Sequence, residues 1–217
     1  MAVENPQSMS AYPMVQVTKV VNRVLDLLSQ RGMLLRTETG PGNGRDNEEP
    51  RTRTHRQHVV EELVKSERTY VQHLETLQHF KNQIEQIGAI PGDAVHDIFL
   101  NLNALLDFQR RFLIRIEQQN TLPESQQNWG RLFIQYKDSF RVYEPFIANQ
   151  SRCNATVEKE WDKLKAAKVS LTPEVQDMVA SSNILNAFLL KPFQRLSKYP
   201  LLLMVRIPPR APAATLY

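Results

Sequence analysis

Covalent chemistry needs a nucleophile beside a base, a cluster of metal ligands, or a glycine-rich loop that can cradle phosphate. This 217-residue sequence holds little of any of them. Its one cysteine, Cys153, has no base in a recognisable spacing and reads as a structural thiol. Standing alone it excludes an intramolecular disulfide framework and points to a reducing compartment. The histidines are His55, His58, His73, His79 and His96. A di-iron bundle wants Glu-x-x-His on two helices. Three residues before His73 and His79 stand Tyr70 and Thr76, and only Asp93 precedes His96 at that spacing. The histidines therefore read as helix-surface residues, with no metal site and no cofactor. Gly40, Gly42 and Gly44 cluster, but no strand precedes them, and neither G-x-G-x-x-G nor the P-loop pattern occurs. Lys159, Lys163, Lys165 and Lys168 alternate with Glu158, Glu160 and Asp162, the pattern of a solvated helix face rather than a phosphate patch.

The elements that must position any site are helical. Seven glycines in 217 residues are too few for the turns of a sandwich or the phosphate loops of a doubly wound sheet. Val17, Val20, Val21, Val24, Leu25 and Leu28 make one short amphipathic helix within an N-terminal region, 1–36. Residues 37–54, with three glycines and two prolines, read as a flexible linker. From His55 apolar residues recur every three or four positions through Val59, Leu63, Leu74, Phe80 and Ile84 to a stop at Gly88. A second helix is expected from Asp93 as cap, through Ile98, Leu105 and Phe112, to Pro123. A third carries the stripe Trp129, Phe133, Tyr136, Phe140 and Tyr143, which reads as core rather than as a base-stacking platform. A fourth spans roughly Asn149 to Lys168, and a fifth apolar segment follows Pro173 towards Leu203. The fold class is all-α, an elongated multi-helix bundle over 55–205, with a Pro-rich disordered tail at 206–217. The start lacks a secretory leader and no apolar run reaches bilayer length, so the chain reads as soluble and cytoplasmic. A net charge of +4, with both signs mixed along the chain, gives no polyanion-binding tail and argues against nucleic acid and membrane insertion.

Two segments stand out together. The first is Glu62-Leu63-Val64-Lys65-Ser66-Glu67-Arg68-Thr69-Tyr70-Val71. The second is Lys191-Pro192-Phe193-Gln194-Arg195-Leu196-Ser197-Lys198-Tyr199-Pro200-Leu201-Leu202-Leu203. The pair resembles the first and third motif regions of the Dbl-homology domain, the exchange module of Rho-family guanine nucleotide exchange factors. Ile98 to Leu106 resembles the family's second helix, and Phe133 to Tyr143, leading into Glu144-Pro145-Phe146, its aromatic third helix. The likeness runs in family order from about residue 56 to 204.

The resemblance implies a partner, a Rho-family small GTPase in its GDP-bound or nucleotide-free state, and exchange by displacement without a covalent step. Glu62 matches the glutamate that clamps the GTPase's first switch segment. Gln194, Lys198 and Leu201 match positions facing the second switch, and their spacing of four and three residues puts them on one helical face. Phe193, Leu196 and Leu203 fall on another face and are expected to anchor that helix in the bundle. Glu67 also matches the pattern but reads as pairing within the bundle. Pro192 suits the first turn of a new helix after a bend. The upstream Val17-to-Leu28 string is similar to the region before this domain in fungal cell-polarity exchange factors, which implies recruitment to the cell cortex or bud site and polarity scaffold proteins as further partners.

The sequence departs from the family after Val205, where a long final helix is expected and Arg206-Ile207-Pro208-Pro209 stands instead. On that ground the chain is expected to be C-terminally truncated, with weak or no exchange activity. The competing class is a non-catalytic helical scaffold that binds a GTPase or a partner helix without driving exchange.

Overall fold

The computed structural model describes residues 50–123 and 126–204, together with positions 22, 23 and 26. Apart from those three positions, which are helical, the amphipathic helix read over 15–28 lies outside the described residues. So do residues 37–49 of the expected linker and the tail at 206–217.

Helix α1 (Pro50–Ile87) is the spine of the bundle. It starts five residues inside the stretch read as linker, with Pro50 as its first residue, where the missing amide proton costs no helical bond. Its buried stripe, Val60, Leu63, Val64, Leu74, Leu77, Phe80 and Ile84, follows the three-and-four spacing of the sequence. The stop is at Gly88, whose φ is +66°. The Ala89 amide donates to the Ile84 carbonyl and the Gly88 amide to that of Glu85, the two bonds of a Schellman end.

The second expected helix is broken in two, α2 (Gly92–Phe99) and α3 (Leu102–Thr121). Leu100 takes φ +46° at the break. Tertiary bonds hold the junction: Asn101 Nδ2 donates to the Val142 carbonyl at 2.8 Å, and the Cys153 thiol donates to the Ile98 carbonyl at 3.3 Å. Asp93 is also not the cap expected; Pro91 precedes the first turn, and Asp93 Oδ1 accepts from the neighbouring Ala94 amide.

The aromatic stripe is likewise segmented, into α4 (Trp129–Tyr136), a 3-10 turn (Lys137–Val142) and α5 (Tyr143–Ala148). Pro145 explains the restart, because its missing N–H is tolerated only in a helix's first turn. Trp129, Phe133, Phe140 and Tyr143 are buried, as expected of core. Phe112 packs edge-on against Phe133 and Phe140, at 5.3 and 5.2 Å between centroids, and Phe140 packs on Tyr199 at 5.3 Å.

Helix α6 (Gln150–Ala166) runs into a 3-10 turn, Ala167–Ser170. Its lysines are exposed, whereas Glu160 turns inward and is held by Lys163 Nζ at 2.6 Å. The fifth segment divides into α7 (Pro173–Gln176), a 3-10 turn (Asp177–Val179), α8 (Ser182–Leu189) and α9 (Lys191–Met204). Pro192 stands second in α9, so the last motif does begin a new helix after a bend. In the packed bundle α1 lies along α3, α2 along α6, and α9 against α1 and α5. Among the described residues no strand occurs, and no helix is long and apolar enough to cross a membrane.

Candidate functional site

At 100° per residue, positions 62, 65, 66, 69, 70 and 73 share one face of α1, and 191, 194, 195 and 198 share one face of α9. These two faces line a single open groove of about 330 Å³. Glu62 converges on it with Gln194 and Lys198, which stand 132 and 136 residues further along the chain, and all three are exposed. The backbone of Leu201 lies in α9 one turn beyond Lys198; its side chain falls outside the described residues.

Beneath the groove a buried polar network fixes α1 against α9. Glu67 is fully buried and its carboxylate accepts from both Nε (3.1 Å) and Nη2 of Arg195. Tyr199 Oη donates to the same carboxylate at 3.0 Å, and Gln109 Nε2 donates to it from α3. Tyr143 Oη closes the chain by donating to Gln109 Oε1 at 2.9 Å. Three elements, α1, α3 and α9, thus meet on one carboxylate, and α5 reaches it through Gln109. Burial pushes the Glu67 carboxyl up from the carboxylate range, while Arg195, Tyr199 and Gln109 pull it back. Its reading as a group that pairs within the bundle is correct. Arg195 also donates from Nη1 to Ser66 Oγ at 2.9 Å and lies over the Tyr199 ring at 4.8 Å.

Leu196 is buried and anchors α9 as expected, but Phe193 does not: it is 39% exposed. The buried face of α9 is formed by Pro192, Arg195, Leu196, Tyr199 and Pro200, and Phe193 lies at its edge, about 60° beyond Leu196 at 100° per residue. The side chain of Leu203 falls outside the described residues.

The groove includes residues to which the sequence reading gave no role. Lys65 and His73 follow Glu62 along α1, and Lys191 precedes Gln194 on α9. Spacing from Glu62 by three and by eleven residues, one and three turns, was the available signal for the first two. His73 packs edge-on to Phe188 at 5.5 Å between centroids, and Lys191 Nζ stands 5.2 Å over the same ring. Partial burial, and then the Lys191 charge, lower the His73 pKa, so near neutral pH it is an uncharged donor and acceptor. With Arg195 neutralised from below by Glu67, the lip carries three lysines against one glutamate, Glu62. Such a lip suits a partner surface with acidic and hydroxyl groups. Cys153 is buried and does not line the groove, and among the described residues no three His, Cys, Asp or Glu side chains gather as a metal site.

A sequence model of the RhoGEF domain matches residues 59–205. The chain is 37% identical over 145 residues to the Rho guanine nucleotide exchange factor scd1 of Schizosaccharomyces pombe, covering 67% of this chain and 16% of that protein. It is also 37% identical over 145 residues to Cell division control protein 24 of Saccharomyces cerevisiae, covering 66% of this chain and again 16% of the relative. A human relative, the Rho guanine nucleotide exchange factor TIAM2, is 30% identical over 184 residues, covering 73% of this chain and 11% of that one. The chain thus spans about a sixth or less of the length of these relatives. A solved structure of the Vav1 exchange factor, concerned with its PH and C1 domains, superposes with a TM-score of 0.58 at 22% identity. It covers 71% of this chain and 42% of that one, and the likeness is one of fold.

Proposed function

Because this chain belongs to the RhoGEF domain family, we propose that its α1/α9 groove engages both switch segments of a Rho-family small GTPase and promotes release of GDP. The observation that carries this reading is the convergence of Glu62, Gln194 and Lys198 on one open face.

The mechanism is displacement. A small GTPase holds GDP through its phosphate loop, Mg²⁺ and ordered switch segments. A surface lowers the barrier to release only if it binds the nucleotide-free arrangement better than the loaded one. Glu62 draws on the first switch as a hydrogen-bond acceptor. Gln194 and Lys198, with Leu201 one turn further on, hold the second switch in a position that disturbs the Mg²⁺ site. The Glu67–Arg195 pair keeps the two helices in register, so that neither side of the groove yields to the load. No bond is made or broken in the exchange factor. Its setting is cell-polarity signalling in the cytoplasm, with recruitment to the cortex or bud site; the two yeast relatives at 37% identity support the family side of this assignment.

The test is release of fluorescent GDP from a panel of Rho-type GTPases. The chain is expected to accelerate release on at least one, and Glu62→Ala or Lys198→Ala to reduce that acceleration about tenfold or more. Binding without acceleration would establish the interaction-module reading instead.

A further inference from the structure

The connection after α6 carries a feature the groove does not use. Thr172-Pro173 is the one Ser/Thr-Pro dipeptide in the 217-residue sequence. A residue before proline is pushed out of the helical region, and Thr172 is extended, with φ −71° and ψ 152°. Thr172, Pro173 and Glu174 are all exposed. An exposed, extended hydroxyl followed by proline is the form in which a proline-directed kinase takes its substrate.

The hydroxyl is also a working part of the fold. Gln83, buried on α1, donates from Nε2 to Thr172 Oγ1 at 2.8 Å, and its Oε1 accepts from the Thr172 amide at 2.9 Å. The two bonds form a clamp from the spine helix to the α6–α7 connection. His79 braces the Gln83 amide at 2.7 Å. The Thr172 side chain, and then the Glu174 amide, hold the Glu174 pKa below its usual value. Beside this clamp Leu171 is buried and pins the segment to the core.

We propose that Thr172 is a phosphorylation site for a proline-directed serine/threonine kinase, and that its phosphate opens the Gln83 clamp. The Thr172 oxygen attacks the γ-phosphorus of Mg²⁺-bound ATP, the bond from that phosphorus to the β–γ bridging oxygen breaks, and ADP leaves. The hydroxyl proton goes to the kinase's carboxylate base. The product replaces the hydroxyl two residues before Glu174 with a group carrying nearly two negative charges. Like-charge repulsion between the phosphate and Glu174, two residues on, then strains the turn, and the bulk of the phosphate displaces the Gln83 amide. Leu171 must lift when the kinase takes the segment, so the clamp also limits the rate of modification.

The full chain is incubated with ATP, Mg²⁺ and a proline-directed kinase, and read by intact mass and fragmentation. One phosphate is expected, on Thr172, absent from Thr172→Val. Gln83→Ala is expected to raise the initial rate several-fold, and the phosphorylated chain to melt about 2–4 °C lower than the unmodified one. The proposal is overturned if the folded chain stays unmodified while a peptide of residues 168–178 is phosphorylated, or if the phosphate persists in Thr172→Val. An unchanged rate in Gln83→Ala, or an unchanged melting temperature on phosphorylation, would overturn the clamp.

Discussion

Glu67 and Cys153 are both buried, and they show how burial acts on an ionisable group with a charged partner and on one whose thiol meets a backbone carbonyl. The Glu67 carboxylate is tolerated in the core because Arg195, Tyr199 and Gln109 satisfy it. Arg195→Met would strand that charge and should cost about 3–5 kcal/mol in urea unfolding. Combined with Glu67→Met, the loss should fall short of the sum of the two single losses, because the groups share one network; additive losses would mean they are not coupled. For Cys153, burial alone pushes the thiol up from 9.0 to about 12. The unfolded thiol ionises first, so the stability it contributes is complete below pH 9.0 and is lost as pH rises towards 12. The unfolding midpoint of the native chain should therefore fall more steeply through that window than that of Cys153→Ala. An aromatic disulfide reagent at neutral pH should react only as the chain unfolds. At this scale the sequence showed that Glu67 pairs internally and that Cys153 is structural. It did not show that Arg195, 128 residues away, is the partner, because nothing local marks a contact closed by packing two helices.

The stop of α1 and the breaks in the other helices rest on different causes. The stop was legible because it is local: a glycine at the end of an apolar run supplies the positive φ that a Schellman end needs. A Cβ added at Gly88 would meet no atom within 4 Å, so Gly88→Ala introduces backbone strain without a clash. It should lower stability by about 1–2 kcal/mol, read as a shift in urea midpoint at unchanged slope. The gap between α2 and α3 had no such signal, since Ile98, Leu102 and Leu105 continue the helical spacing through it. Leu100 takes a positive φ there because Asn101 and Cys153 bind groups on either side of it from other elements. Phe193 fell on the wrong side for a related reason: which residues of α9 face inward is set by the Glu67 carboxylate that receives Arg195, and apolar character alone does not report it.

Across the whole molecule α1 joins two regions that do different work. Glu62 and Gln83 stand 21 residues apart on this one helix, about 31 Å at 1.5 Å per residue. One end carries the groove and the other the clamp on Thr172. The existence of the bundle and of the two motif helices was legible in the sequence, because their apolar spacing and motif strings are local. The clamp was not, since it joins Gln83 to a residue 89 positions away through side-chain amide bonds. Sites this far apart and sharing no partner should act independently. Gln83→Ala removes the bonds to Thr172 and should cost about 1–3 kcal/mol of stability, while leaving the stimulated rate of GDP release unchanged at temperatures where the chain stays folded. Lys198→Ala, exposed on the groove lip, should do the reverse: lose stimulation and leave the unfolding midpoint within about 0.5 kcal/mol of the parent. Measuring both quantities on both variants tests the division. If Gln83→Ala slowed exchange in the folded state, the clamp end of α1 would be transmitting to the groove, and the spine would have to be treated as a two-state element rather than a rigid support.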